Sequence, residues 1–98
     1  MIKFAICNDE LLMVRELAGH LASYMEEKHV TACSVSSFSS GRALLEAVGG
    51  FDVIFLDIQM KQPDGMETAR LLRQRVDHSM LVFVTVLKEL LQAEIWFP

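Results

Sequence analysis

This sequence lacks several features that mark particular protein classes, and these absences exclude some of the functions that it could have. No apolar run reaches the ~20 residues that span a bilayer, and Met1 leads directly into a strand pattern rather than into a basic leader with a cleavage site. Positive charge is scarce, with nine Lys and Arg against thirteen Asp and Glu and a net charge of -4. Such a chain is poorly suited to binding a phosphate backbone. We therefore expect a cytoplasmic protein that contacts neither membrane nor nucleic acid through this segment.

Motifs for metal or redox chemistry are also lacking. The two cysteines, Cys7 and Cys33, fall inside predicted strands and do not form a C-x-x-C pair. The three histidines are scattered, and no two of them stand four residues apart as on a zinc-binding helix. We expect reduced, buried thiols and no zinc site.

The composition that remains is that of an ordinary globular domain. The chain has 98 residues, of which 52% are hydrophobic and 22% charged. This length suits one domain with a modest core, and no repeat or low-complexity linker divides it. The sequence therefore predicts a single domain over residues 1–98.

Strand and helix patterns alternate along the chain. Short apolar runs predict strands at residues 2–7, 31–38, 52–57 and 80–84. Apolar residues at three- and four-residue steps predict helices at 11–28, from Ser39 and Ser40 to the glycines 49 and 50, and at 66–75. Alternation with short connections indicates parallel strands joined by right-handed crossovers. The predicted fold class is α/β, a doubly wound parallel sheet.

Polar residues stand at the ends of the predicted strands. Asp9 and Glu10 follow the first strand, Asp57 closes the third, and Thr85 closes the fourth. Ligands of open α/β sheets bind beyond the carboxyl ends of the strands, so we expect these residues to converge. Clustered carboxylates repel each other, and a hard cation such as Mg²⁺ relieves this repulsion. The same ion would shield a phosphoryl donor from an attacking carboxylate, and Asp57 is placed for that attack.

Each of these residues also has a purely structural interpretation. Acids are favoured in the first turn of a helix by its dipole, which would account for Asp9 and Glu10. Asp57 alone could be a turn residue at a strand end, and Thr85 alone an ordinary strand residue. The four residues together, with the Asp64-Gly65 loop, favour the functional interpretation.

Four segments resemble the conserved blocks of response-regulator receiver domains, of the CheY-like superfamily of two-component signalling. They are Ile6-Cys7-Asn8-Asp9-Glu10, Val53-Ile54-Phe55-Leu56-Asp57-Ile58-Gln59-Met60, Asp64-Gly65-Met66-Glu67-Thr68-Ala69 and Val82-Phe83-Val84-Thr85. Their order and spacing match as well, and the resemblance covers about residues 1–86. It is closest to receivers that precede LytTR-type DNA-binding domains, which implies a flavodoxin-like fold and a part in transcription regulation.

The resemblance implies a role for each matched residue. Asp57 would be the phosphoacceptor, and Asp9, Asp57 and the backbone carbonyl of Gln59 would bind Mg²⁺. Thr85 would donate a hydrogen bond to the phosphoryl group and turn inward after phosphorylation. These assignments are implied by the family and do not follow from spacing alone.

The sequence departs from the family pattern at Asn8 and at Lys61. Asn8 stands where the family usually has an acid, which removes one negative charge from the pocket. Asn8 and Glu10 are further candidate metal ligands, and Glu10 would compensate in part for the lost charge. Lys61 stands where a proline is common, which should alter the stiffness of the loop more than its chemistry.

The region after Thr85 differs from the family. A complete receiver continues with a helix, a fifth strand, a Lys-Pro pair whose lysine contacts the phosphoryl oxygens, and a last helix. No residue of this chain matches that lysine, so the resemblance predicts an incomplete, C-terminally truncated domain. Four strands are recognisable, the fifth strand and last helix are missing, and residues 87–98 form a divergent tail.

This ending also predicts association between copies. The fourth strand would become an apolar edge with unpaired backbone groups, and residues 87–97 could form a helix with an exposed apolar stripe. We therefore expect a homodimer or a larger assembly through residues 80–97.

The sequence supports more than one function. The first is a receiver that takes a phosphoryl group from a sensor histidine kinase or a small phosphodonor, with catalysis limited to self-phosphorylation and autodephosphorylation. The alternative is a degenerate pseudo-receiver that acts as a binding or dimerisation module. A third interpretation is a disrupted gene whose Lys-Pro strand lies elsewhere. A haloacid-dehalogenase-type hydrolase fits less well, because Gln59 stands where its D-x-D motif needs a second Asp.

Overall fold

The computed structural model describes residues 1–47, 50–75, 77–86 and 92–97, and for residues 85–86 and 92–97 the description concerns the backbone only. The strands of this part are β1 (Ile2–Cys7), β2 (Cys33–Phe38), β3 (Val53–Asp57), β4 (Met80–Val86) and β5 (Gln92–Phe97). The helices are α1 (Leu11–Glu27), α2 (Gly41–Glu46) and α3 (Gly65–Gln74). The predicted strands and helices agree to within a few residues, although α2 ends before its predicted stop at Gly49, which lies outside the described residues.

The strands form one sheet in the order β2-β1-β3-β4-β5, and the first four of these are parallel. The chain leaves β1 toward β2, returns past β1 to β3, and continues in the same direction to β4. Because such crossovers are right-handed, α1 covers one face of the sheet, and α2 and α3 cover the other. This confirms the predicted doubly wound α/β fold of the flavodoxin-like type.

The main core lies between the sheet and helices α2 and α3. Residues at alternate positions of the central strands are buried there against both helices; they are Ala5, Cys7, Ile54, Leu56, Leu81 and Phe83 from the strands and Leu44, Ala69 and Leu72 from the helices. On the α1 side, Phe4 and Ile6 are buried as well. Burial on both faces explains why these strands read as continuous apolar runs.

Side-chain caps fix the starts of the two helices that border the site. Ser40 accepts a hydrogen bond from the backbone N–H of Ala43 at 3.1 Å through its Oγ, as predicted for the start of α2. Asp64 Oδ1 accepts one from the N–H of Glu67 at 2.9 Å and so caps α3. Each cap satisfies a backbone donor that the helix itself leaves free.

The C-terminal part corrects two predictions. Residues 92–97 form a strand, β5, so the helix predicted over 87–97 is wrong there, and residues 87–91 lie outside the described part. β5 pairs antiparallel with β4, with Leu81 opposite Phe97 and Val86 opposite Gln92. β4 is therefore paired on both sides and is not the sheet edge that we predicted. The physical reason is that pairing satisfies the backbone groups of an apolar strand, which a helix packed on the sheet would leave free.

Candidate functional site

The strand registers bring the predicted site residues to one edge of the sheet. Cys7 pairs with Leu56, so Asn8 and Asp57 follow at the same level of the neighbouring strands. Asp57 pairs in turn with Val84, which places the backbone of Thr85 one residue further along β4. The carboxyl ends of β1, β3 and β4 therefore meet where the sequence predicts a site. The side chain of Thr85 lies outside the described part of the chain.

The side chain of Asn8 stabilises the turn after β1. The N–H of Asn8 donates to the carbonyl of Phe38 at 3.0 Å, which ties the end of β1 to the end of β2. The Oδ1 of Asn8 accepts a hydrogen bond from the N–H of Glu10 at 2.9 Å. Asn8 thus stabilises the turn that carries Asp9, a role that the sequence does not reveal. Its amide oxygen already has one partner, and Asp9 and Glu10 are exposed.

Asp57 lies at the end of β3 in a partly buried, acidic environment. Burial raises the pKa of its carboxyl above the usual range, and the negative charges of Asp9 and Glu10 raise it further. The backbone N–H groups of Gln59 and Ile58 act in the opposite direction, and the Gln59 N–H lies 3.2 Å from Asp57 Oδ1. Within the described part of the chain, no basic side chain lowers this pKa. The charges of Asp9 and Glu10 therefore act on the carboxyl of Asp57.

The start of α3 packs directly against the backbone of Asp57. The N–H of Gly65 donates to the carbonyl of Ile58 at 3.0 Å. A Cβ at Gly65 would lie 2.1 Å from the carbonyl oxygen of Asp57 and 2.7 Å from the Cα of Ile58. Only a residue without a side chain allows this approach. The sequence identifies Gly65 as a loop glycine, but the contact that requires it is visible only in the structure.

A thiol and a thioether lie beneath the acidic edge. The Sγ of Cys7 donates to the carbonyl oxygen of Ser40 at 3.3 Å and lies 3.8 Å from the Sδ of Met60. Burial, followed by the charges of Asp57 and Asp9, raises the pKa of Cys7 to about 12. Cys7 is therefore a buried, protonated thiol, as predicted.

Two further expectations on single residues have different outcomes. Cys33 is only half-buried, at the outer edge strand β2, so the prediction that both thiols are buried is wrong for this one. Both cysteines are free thiols. Met60 is buried against Cys7 and anchors the loop after β3.

The donor atoms at this edge suit a hard cation, with carboxylate, amide and carbonyl oxygens within one set of loops. Among the described residues, no three His, Cys, Asp or Glu side chains come close enough together to hold a metal ion. A cation bound here would therefore need backbone carbonyl or water ligands in addition to two carboxylates. The expected set of Asp9, Asp57 and the carbonyl of Gln59 is of this kind.

Comparison with known proteins agrees with this geometry. The family described as response regulator receiver domain matches residues 4–95 of the chain. The chain belongs to this family. As a receiver domain it is 36% identical over 75 residues to an uncharacterised response regulatory protein of Vibrio cholerae serotype O1, a match that covers 74% of this chain and 29% of that protein.

Solved receiver structures share the fold. The BeF3-activated receiver domain of DrrB, from Thermotoga maritima, superposes with a TM-score of 0.73 at 20% identity, over 90% of this chain and 68% of that one. TrrA of the same organism, solved with Mg²⁺ and BeF, gives a TM-score of 0.68 at 23% identity, over 91% and 73%. Both therefore support the receiver fold. Within the described residues, no helix is both long enough and apolar enough to cross a bilayer.

Proposed function

We propose that this receiver domain accepts a phosphoryl group on Asp57. The observation that carries the proposal is the convergence of Asp57 with Asp9 and Glu10 at the carboxyl edge of the sheet, where their charges raise the pKa of Asp57. A carboxyl group that is partly buried beside other negative charges is costly for stability, and such perturbed groups cluster at functional sites. The cost of this repulsion is consistent with a site that has a function.

The reaction transfers a phosphoryl group to a carboxylate oxygen, either from the imidazole nitrogen of a phosphohistidine or from an oxygen of an acyl phosphate. A carboxylate oxygen of Asp57 forms a bond to phosphorus, while the bond from phosphorus to the leaving group of the donor breaks and the leaving group keeps the electron pair. The product is an acyl phosphate. Because Asp57 is half exposed at the end of β3, a donor can approach it from solvent.

We infer that Mg²⁺ is the cofactor of this transfer. Asp9, Asp57 and the backbone carbonyl of Gln59 are its proposed ligands, and Asn8 and Glu10 are further candidates. When bound, the ion would offset the negative charge gathered at this edge and on the donor. TrrA was solved with Mg²⁺ and BeF, which supports this choice of metal for the family.

Thr85 is proposed to donate a hydrogen bond to the phosphoryl group and to act as the switch residue. Its support is the register, which places its backbone one residue beyond the level of Asp57.

The phosphodonor is proposed to be a sensor histidine kinase or a small acyl phosphate. The match spans 29% of the Vibrio relative. We therefore also propose, without a direct observation on this chain, that it controls transcription through other parts of a response regulator. Cytoplasmic location is a proposal as well.

Association through residues 80–97 is also a proposal, but the strand that would form the contact is no longer β4. β4 is paired on both sides, so the edge that could bind another copy at this end is β5.

The phosphoacceptor proposal is tested by incubating the full chain with Mg²⁺ and acetyl phosphate and measuring its intact mass. We expect a gain of one phosphoryl group that requires Mg²⁺ and is lost in Asp57→Asn. Asp64→Asn is the matched control, because Asn caps a helix as well as Asp does and Asp64 lies in the same loop region. Absence of any gain in the native chain, or a gain that Asp57→Asn leaves intact, would favour the pseudo-receiver instead.

A further inference from the structure

The sheet has a second edge, β2, on the side opposite β5. In the order β2-β1-β3-β4-β5, β2 pairs with β1 and with no other strand in the described part of the chain. The register along β1 is continuous, from Ile2 opposite Cys33 to Cys7 opposite Phe38. No bulge therefore interrupts this edge or twists it away from a neighbour.

The hydrogen bonds to β1 show which groups of β2 face outward. The N–H of Ile2 donates to the carbonyl of Ala32 at 2.9 Å, and the N–H of Asn8 donates to that of Phe38 at 3.0 Å. In a parallel ladder, alternate residues of a strand supply both of its bonds to one neighbour. The even-numbered residues of β2 therefore pair with β1. The odd-numbered residues direct their N–H and C=O groups outward; they are Cys33, Val35 and Ser37.

This edge lacks the features that protect exposed strands. Natural edges carry charges, prolines or bulges, which oppose pairing with another chain. Residues 30–41 include no charged residue and no proline, although 22% of the whole chain is charged. Val35, at the middle of β2, is 43% exposed. The other edge strand, β5, contains Glu94, so β2 is the less protected of the two.

We propose that β2 of one molecule pairs antiparallel with β2 of a second copy of this chain. Val35 lies opposite Val35 of the second copy on the two-fold axis, and Cys33 lies opposite Ser37 on either side of it. All three residues have outward N–H and C=O groups, so each opposed pair exchanges two hydrogen bonds. The result is one continuous ten-stranded sheet, which follows from five strands in each copy.

The lack of charge on β2 favours a second copy as the occupant. In a two-fold interface every charge faces itself or its symmetry mate, so a charged strand would repel its own copy. The stretch 30–41 is neutral and avoids this cost. A partner recognised through charge would need complementary groups on β2, and the described strand has none.

The pairing leaves the proposed phosphorylation site free. The two copies run in opposite directions, so their Asp57 edges lie at opposite ends of the continuous sheet. Association through β2 should therefore be independent of Mg²⁺ and of phosphodonor. Its failure would not affect the phosphoacceptor proposal, and the reverse also holds.

The test compares the full native chain with two substitutions at Val35, by sedimentation velocity over a wide range of concentration. We expect the native mass to rise from 11.1 kDa toward twice that value as concentration increases. Val35→Pro removes an outward N–H in each copy while leaving the ladder to β1 intact, since proline is tolerated on edge strands. It should weaken association roughly tenfold or more, because two hydrogen bonds are lost. Val35→Thr keeps the N–H and the branched shape and should associate as the native chain does.

Amide hydrogen exchange is measured on the native chain, so its result does not depend on whether a substituted chain folds. The N–H groups of Cys33, Val35 and Ser37 should exchange quickly in dilute solution and slowly in concentrated solution. Those of Ser34 and Ser36 should be protected in both. A native chain that is monomeric at every concentration overturns the proposal. So does a dimer that persists in Val35→Pro with fast exchange at Val35, which would assign the interface to β5 or another surface.

Discussion

The folded structure disfavours the charged form of Asp57. Burial and the neighbouring carboxylates of Asp9 and Glu10 raise its pKa, so the ionised form of Asp57 destabilises the metal-free protein. The same feature that makes Asp57 a candidate for chemistry therefore makes it a weak point for stability. Sites of this kind commonly trade stability for function.

A substitution that removes this charge should stabilise the metal-free fold. We expect Asp57→Asn to raise the free energy of unfolding at neutral pH by about 0.5 kcal/mol, a small value because Asp57 is partly exposed and its charge is screened. The corresponding increase in Tm is about 2–4 °C. Thermal unfolding in a metal chelator measures it.

The pH dependence of this difference has a defined sign. A raised folded-state pKa contributes stability below the unfolded value, and this contribution is lost as pH rises through the folded pKa. The advantage of Asp57→Asn over the native chain should therefore be absent at acid pH, grow as pH rises above the ordinary value of 3.8, and then level off. Mg²⁺ should reduce it by stabilising only the native chain. An advantage that is equal at all pH values would show that the carboxylate charge is not its cause.

At the scale of elements, the position of α3 is set by one close contact with β3. Gly65 begins α3, and a Cβ there would overlap the carbonyl oxygen of Asp57 at 2.1 Å. The helix start, the loop after β3 and Asp57 thus form one closely packed unit. The hydrogen bond from Gly65 to Ile58 and the Asp64 cap hold it together.

Gly65→Ala should disturb this unit. The overlap is with backbone atoms, which cannot rotate away, so α3 must shift, and we expect a loss of about 1–3 kcal/mol in the free energy of unfolding. Phosphorylation of Asp57 should slow in parallel. Gly19→Ala is the matched control, because Gly19 lies in α1 with nothing within 4 Å of its Cβ position, and it should stabilise the protein by about 0.5–1 kcal/mol. Chemical denaturation and the intact-mass assay measure both. Equal effects of the two substitutions would contradict the contact at Gly65.

Elements with a strong local pattern were predictable, and those set by contacts were not. The four parallel strands and the start of α2 at Ser40 follow from apolar runs and a capping residue. The end of α1 was also predicted to within a residue, but its backbone conformation was not, because His29 adopts a left-handed conformation with φ of 59°, which favours glycine. The N–H of His29 bonds to the carbonyl of Glu26 and that of Val30 to the carbonyl of Met25, so backbone hydrogen bonds close this end of the helix.

The C-terminal strand shows how two patterns can compete. The tail has apolar residues at helical steps, Leu87, Leu90, Leu91 and Ile95, which led to the prediction of a helix that is wrong over 92–97. Within β5, however, Ala93, Ile95 and Phe97 alternate with Gln92 and Glu94, and only Trp96 departs from the two-residue period of a strand. Scored alone, that segment would have predicted a strand. Its antiparallel pairing with β4 has no local signal and depends on the rest of the sheet.

The candidate site was predictable in its location more than in its detail. Parallel strands bring their carboxyl ends together, so the convergence of Asp9 with Asp57 follows from topology once the strands are recognised. The hydrogen bond between Asn8 and Glu10 and the contact of Cys7 with Met60 do not follow, because each depends on a few ångströms of loop geometry.

At the scale of the whole molecule, β5 completes the sheet by covering β4. Six residue pairs join the two strands, and β4 carries the buried residues Leu81, Phe83 and Val84. Without β5, the apolar β4 would become an exposed edge with a row of unpaired backbone groups. The sheet would then have an unprotected strand on each side.

A chain that ends at Val86 should therefore be both less stable and more prone to aggregate. Each lost backbone hydrogen bond contributes about 0.5–1.5 kcal/mol net, so removal of the β4–β5 ladder should cost a few kcal/mol, a large share of the stability of a small domain. Thermal unfolding in dilute solution separates this loss from aggregation, which light scattering follows as concentration rises. Adding Val35→Pro to the shortened chain weakens pairing through β2, so aggregation that this substitution leaves unchanged would be assigned to β4. A shortened chain with the native Tm and no aggregation would show that β5 contributes nothing to the fold.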